Sequence, residues 1–249
     1  MKYPEIAGKK VLVTGGTRGI GYQISQAFCD HGAEVHVTGT KKQGKHPSGA
    51  IYHACDFTEQ GELDSFCASL GELGIQILVN NAGVNSPAPF ADIASAEFLR
   101  VQQVNLYAPF RVCQAVLSGM QSARWGRIVN ISSLAGLSGQ PYITAYCASK
   151  HAVIGLTRTL ALEVVKKGIT VNAVCPAYVE TGMVERGVDN IRDITGMSEE
   201  EARGELAKKS PQNRIIMPSE VGATVAWLCL PGSESITGQS IAMAGGAWM

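Results

Sequence analysis

Short apolar runs alternate with longer amphipathic stretches along almost the whole chain. The run Lys10-Val11-Leu12-Val13-Thr14 predicts a buried strand, and a glycine cluster follows it. Residues 20–31 then carry helical spacing and stop at Gly32. Further β-rich runs at 34–38, 50–54 and 75–79 predict three more strands. Thr58 is a candidate N-cap for a helix reaching about residue 70. Ser95 stands in the same position for a long helix over 95–120, ahead of a fifth strand at 127–131. A second long helix, 146–167, is stopped by Gly168 and leads into a sixth strand at 169–174. Ser219 opens a helix that ends near residue 230, before Pro231-Gly232, and a last strand covers 239–243. Strands alternating with crossover helices predict an α/β fold, a Rossmann-type doubly wound parallel sheet of about seven strands with helices on both faces.

Two stretches break the rhythm. The link between the second and third strands holds Lys41, Lys42, Gly44, Lys45, His46, Pro47 and Gly49, too short and too rich in glycine and proline for a crossover helix. A loop or a single turn is expected there. Residues 176–218 form a long insertion with a charged, helix-like centre at 198–209, and residues 177–217 or so are expected to be a substrate lid. There is no repeat and no linker, so one domain is expected over 1–249.

Charge and cysteine usage narrow the function classes. Lys plus Arg equals Asp plus Glu, at 21 each, which argues against a nucleic-acid partner. The seven cysteines include no C-x-x-C pair and suit reduced thiols in a cytoplasmic protein without a metal site. The N-terminal residues show no secretion signal. Residues 128–149 are uncharged, but Asn130, Ser132, Gly136, Gln140 and Pro141 make them too polar and broken for a membrane span. Such a stretch suits the lining of a ligand cleft.

Three motifs carry chemistry. Thr14-Gly15-Gly16-Thr17-Arg18-Gly19-Ile20-Gly21 lies between a strand and a helix, where glycines let the backbone approach a pyrophosphate at a helix N-terminus. Tyr146 and Lys150 stand four apart on one predicted helix face. An ammonium there is expected to lower the phenol pKa from about 10 and make it a usable acid or base. Taken alone, a Tyr–Lys pair at this spacing is commonplace. Ser133 ends the fifth strand, where its hydroxyl can donate to a developing oxyanion or simply close a turn.

Together these residues resemble the short-chain dehydrogenase/reductase family over nearly the whole chain. The match runs from the glycine-rich motif through Asn80-Asn81-Ala82-Gly83, Asn105, Ser133, Tyr146 and Lys150 to Pro176. The resemblance implies Tyr146 as general acid/base, Lys150 as its partner and a ribose ligand, Ser133 as the carbonyl polariser, and Asn105 as a residue holding a water beside Lys150. It places Gly15, Thr17, Arg18, Gly19, Ile20 and Gly21 along the pyrophosphate and adenosine. Asp56 and Phe57 fall beside the adenine, and Asn81, Ala82 and Gly83 along the adenosine ribose. Pro176, Val179 and Thr181 fall at the nicotinamide. It also implies a homotetramer built through the two long helices. Two positions depart from the family pattern. Ala177 replaces the usual glycine, and Ala244 stands where an aspartate commonly precedes the terminal Gly-Gly.

The end of the second strand reads Thr38-Gly39-Thr40-Lys41-Lys42, with no carboxylate to bond a ribose 2′-hydroxyl. Thr40 and Lys41, with Arg18 nearby, favour NADP(H) over NAD(H). Val84, Asn85, Leu134, Gln140, Tyr142, Tyr178 and Met183 are candidate substrate contacts, a largely apolar set suited to a medium-sized ketone. Arg124 and Lys167 fall where similar acyl-carrier-protein reductases present cations, which keeps carrier-protein docking open. The leading expectation is a ketoreductase of the 3-oxoacyl or polyketide type. The alternatives are a catabolic dehydrogenase of a cyclic or aromatic alcohol and a non-catalytic cofactor-binding regulator.

Overall fold

The computed structural model describes residues 5–248. Seven parallel strands, β1 (Lys10–Val13), β2 (Glu34–Gly39), β3 (Ile51–Ala54), β4 (Ile77–Asn80), β5 (Gly126–Ile131), β6 (Ile169–Pro176) and β7 (Ser240–Met243), form one sheet in the order β3-β2-β1-β4-β5-β6-β7. The order reverses between β1 and β4, which opens a crevice at the carboxyl ends of those strands. Residues point alternately to the two faces. Leu12, Leu78, Ile128 and Val171 pack on one side with α2 (Gln60–Leu73), α4 (Ala108–Ala123) and α5 (Thr144–Val164). Val11, Val13, Val35, Val37 and Val129 pack on the other with α1 (Gly19–Asp30) and α8 (Pro218–Trp227). Burial on both faces explains why the strands read as continuous apolar runs.

Residues 40–50 form an irregular loop, as their composition predicts. Other expectations fail locally. Thr58, Ser95 and Ser219 are not caps: the N-cap positions belong to Glu59, Ala94 and Met217. The Thr58 hydroxyl donates instead to Asp56 at 2.8 Å. Pro218 starts α8 because its fixed φ suits a first helical position. The expected helix over 95–120 is α3 (Ser95–Gln102) and α4 joined by a π-turn at Gln103–Tyr107, an insertion that shifts the backbone register. The second long helix begins at Thr144 and tightens into a 3₁₀ turn at Val165–Lys167.

The insertion after β6 holds two helices where one was expected. Besides α7 (Glu199–Ala207), capped by Ser198 and Glu201 in a capping box, there is α6 (Gly182–Thr195), capped by Thr181 and ended by Gly196. The exposed face of α6 is strongly charged, which hid the buried pair Val184 and Val188 in the sequence. Among the described residues, no helix is long and apolar enough to cross a membrane.

Candidate active site

The glycine-rich loop is held from below by hydroxyls at the strand ends. Thr14 Oγ1 accepts from the backbone N–H groups of Asn81 and Ala82, both at 3.0 Å. The Asn81 amide donates to the carbonyls of Thr14 at 2.9 Å and Gly15 at 3.1 Å. Thr38 Oγ1 accepts from Gly15 N at 3.0 Å. The loop packs so closely that a Cβ at Gly21 would stand 2.3 Å from the Gly15 carbonyl oxygen. No side chain caps α1 at Arg18, so the first-turn N–H groups are left for an anionic ligand. That opening fits the pyrophosphate of a dinucleotide.

Ser133, Tyr146 and Lys150 meet at the carboxyl ends of β5 and β6. The Ser133 hydroxyl pulls the Tyr146 phenol pKa downward. It also accepts from Ala135 N at 3.1 Å and lies 3.5 Å from the Pro176 carbonyl. Lys150 lies one helical turn past Tyr146, with its Nζ 5.5 Å from the phenol ring centre and donating to the Ile131 carbonyl at 2.7 Å. Asn105 sits in the π-turn with its side chain fully employed. Its amide donates to the Val84 carbonyl at 2.9 Å and to Ser149 Oγ at 3.0 Å, and its oxygen accepts from Val84 N at 2.8 Å. The Asn81–Val84 loop is thereby clamped to α5, and a Cβ at Gly83 would stand 3.6 Å from Lys150 Nζ.

A family model described as enoyl-(acyl carrier protein) reductase matches residues 15–247. A D-beta-hydroxybutyrate dehydrogenase of Rhizobium meliloti is 33% identical, with 96% of this chain and 98% of that one aligned. The 3-oxoacyl-(acyl-carrier-protein) reductase of Vibrio cholerae is 32% identical over 98% and 99% of the two chains. The chain belongs to the short-chain dehydrogenase/reductase family. Its structure superposes on that of a variant of actinorhodin polyketide ketoreductase with NADPH, with a TM-score of 0.89, 34% identity and 99% of each chain covered. As a family member it is a nicotinamide-dependent oxidoreductase acting on a CH–OH or carbonyl carbon.

Within this short-chain dehydrogenase/reductase, the electrostatics of the tyrosine–lysine pair differ from expectation. Burial pushes the Tyr146 phenol up to about 12, against the downward pull from the Ser133 hydroxyl. Burial also draws the Lys150 ammonium down to about 8. The expected lowering of the phenol by the lysine is therefore absent in this geometry. Lys150 is turned to a carbonyl oxygen, and desolvation is the largest cause of the shift for both groups.

The other candidates are distributed unevenly. Thr181 caps α6 and bears on the glycine loop, since a Cβ at Gly19 would meet its methyl at 3.1 Å. Thr17 packs against Gly39, while Arg18, Thr40 and Lys41 are exposed. Asp56 accepts from Thr58 N at 2.9 Å, and the Phe57 ring is buried in the core near Phe66. Val179 is buried and bridges Ile216. Val84 packs against the core, Leu134 and Gln140 are partly buried, and Met183 is exposed. Asn85 keeps a buried amide oxygen without a partner. Tyr142 is exposed at φ +67°, and its carbonyl accepts from Ala88 N at 2.8 Å, joining two loops at the rim. Tyr178 receives a hydrogen bond from Lys209 at 3.2 Å. Arg124 and Lys167 stand at the amino-terminal ends of β5 and β6, the opposite rim from Ser133.

Sequence reasoning missed the supporting hydroxyls and amides. Thr14 and Thr38 close apolar strands, a polar signal at the sheet edge that could have marked them. The chain Asn80–Asn130–Thr157, linked by two hydrogen bonds of 2.8 Å, ties β4, β5 and α5 beneath the site.

Proposed function

We propose that this enzyme is a cytoplasmic NADP(H)-dependent ketoreductase of the 3-oxoacyl or polyketide type. The observation that carries the reading is the meeting of Ser133, Tyr146 and Lys150 at the carboxyl ends of β5 and β6, at the edge of the glycine-rich crevice. The nicotinamide cofactor supplies hydride to the carbonyl carbon when bound. Tyr146 is protonated at neutral pH, as a phenol with or without the upward shift from burial would be, and a protonated phenol is what a ketone oxygen needs as a donor. Ser133 donates a second hydrogen bond to that oxygen as charge gathers on it. Lys150 bonds the nicotinamide ribose and, once turned from the Ile131 carbonyl toward the phenol, eases its proton loss. Asn105 holds the Asn81–Val84 loop against the helix that carries both residues.

The first-turn N–H groups of α1 and the loop from Gly15 to Gly21 hold the pyrophosphate, and Asn81, Ala82 and Gly83 flank the adenosine ribose. Pro176, Val179 and Thr181 meet the nicotinamide. The preference for NADP(H) rests on Thr40, Lys41 and Arg18 and on the lack of any acidic residue from Val35 to Cys55. Substrate enters beneath residues 177–217, against Asn85, Leu134, Gln140, Tyr142, Tyr178 and Met183, within a single domain. The homotetramer reading is supported by the apolar groove at Leu99, Leu106, Tyr107, Phe110 and Leu156 on the outer face of α3, α4 and α5, a surface larger than single scattered apolar residues would give.

Steady-state assays of a 3-oxoacyl thioester and of cyclic ketones, each with NADPH and NADH, test the reading. A kcat/KM at least tenfold higher with NADPH on the thioester is expected. Turnover confined to NADH, or to oxidation of cyclic alcohols, would overturn it. No turnover with any pair would favour the regulatory alternative.

A further inference from the structure

Tyr52 has no part in the site described so far, yet the loop over residues 40–50 is folded around it. Its hydroxyl donates to the Lys41 carbonyl. The His46 imidazole stacks on its ring, with centres 5.7 Å apart and planes 11° from parallel. Two glycines make the closest approaches: a Cβ at Gly39 would stand 2.9 Å from the Tyr52 hydroxyl, and one at Gly44 would stand 2.9 Å from its ring. The same Cβ at Gly39 would lie 2.7 Å from the Thr17 methyl. The phenol and Thr17 thus converge at Gly39, where this loop meets the pyrophosphate loop. Lys45 is drawn to α1, with its Nζ 5.9 Å from the Tyr22 ring centre. Among the described residues no carboxylate forms an ion pair with Lys41, Lys42 or Lys45, so their charge remains available to a ligand.

We infer that Tyr52 is a positioning residue for cofactor selection. By fixing the Lys41 carbonyl and filling the interior of the loop, it holds Thr40, Lys41 and Lys42 as a pre-formed seat for the 2′-phosphate of the adenosine ribose. Lysine side chains lose much rotamer freedom on binding, and a fixed backbone limits that loss. The inference rests on the NADP(H) reading above. A phenol that merely plugged the loop would support both cofactors equally, because the loop and the pyrophosphate site are in contact. Selective support of the phosphorylated cofactor is the distinguishing consequence.

Tyr52→Phe keeps the ring and the stack but removes the bond to Lys41. KM is measured for NADPH and NADH, with inhibition by 2′,5′-ADP and 5′-AMP as cofactor fragments. The expected result is a three- to tenfold rise, in order of magnitude, in the NADPH KM and the 2′,5′-ADP inhibition constant. The NADH KM, the 5′-AMP constant and kcat should stay within about twofold of wild type. Equal losses for both cofactors, or no change for either, would overturn the inference while leaving the NADP(H) reading intact. A wild-type preference for NADH would overturn the NADP(H) reading itself. Should Tyr52→Phe fail to fold, His46→Ala strips the stacked ring from the loop and carries the same prediction.

Discussion

The glycine loop and the segment between β6 and α8 face each other across the crevice, but they are held by different forces. The loop is fixed by part-buried hydrogen bonds from Thr14, Thr38 and Asn81 that join segments far apart in sequence, and by contacts that admit no side chain at Gly21. The opposite segment has its own small apolar cluster of Val184, Val188, Ala202 and Leu206. Its outside is laced with ion pairs such as Arg203–Glu180 at 2.5 Å and Arg214–Glu220 at 2.6 Å. Hydrogen bonds set within close-packed backbone resist local opening, whereas partly exposed ion pairs contribute little. Under the proposed function, the first wall holds the constant cofactor, and the second, held by weaker contacts, is the one that would vary with substrate.

That contrast can be broken most forcefully on the rigid side. Gly21→Ala forces a Cβ to within 2.3 Å of the Gly15 carbonyl and 2.4 Å of the Asn81 amide, the first in the loop and the second bonded to it. Cofactor affinity should fall by about a hundredfold or more, roughly 3 kcal/mol, in a fluorescence titration. Wild-type affinity in this variant would show that the loop is soft.

Lys150 gives a second effect, on stability. Its folded pKa is drawn down to about 8, below its unfolded value of about 10.4. Below pH 8 both states hold the proton, and the folded state bears the full cost of burying the charged lysine. The cost shrinks as pH rises from about 8 toward 10. Lys150→Met should therefore raise stability at pH 7 by an amount on the order of 2 kcal/mol, seen as a higher Tm, while activity falls about a hundredfold or more. Its advantage in Tm should vanish by pH 10. A lower Tm at pH 7 would contradict the buried-charge account.

The mildest change is expected across the crevice. Arg203→Ala breaks two partly exposed ion pairs, to Glu180 and Glu199. Global stability should change by less than about 1 kcal/mol in urea unfolding, with any larger effect appearing in substrate KM. A loss of several kcal/mol would mean that this segment belongs to the cooperative core.

The same division governs what the sequence reveals. Strand positions and the sheet were legible because burial on both faces leaves uninterrupted runs such as Val11-Leu12-Val13 and Ile77-Leu78-Val79. Ser133, Tyr146 and Lys150 were legible through spacing and family resemblance, and the fold brings them to one strand edge. What stayed hidden was non-local. The π-turn at Asn105 depends on clamping Val84 to Ser149, which no local periodicity encodes. Helix α6 hides its two buried valines among charged neighbours. The direction of the Tyr146 and Lys150 pKa shifts follows from burial, which spacing along a helix does not report.

The catalytic claim is tested most directly by Tyr146→Phe, with NADPH affinity and ketone turnover measured on the same preparation. The account predicts NADPH binding within a few-fold of wild type and turnover at least about a thousandfold slower, since proton donation alone is removed. Turnover close to wild type would contradict it, as would a loss of rate explained wholly by lost NADPH binding.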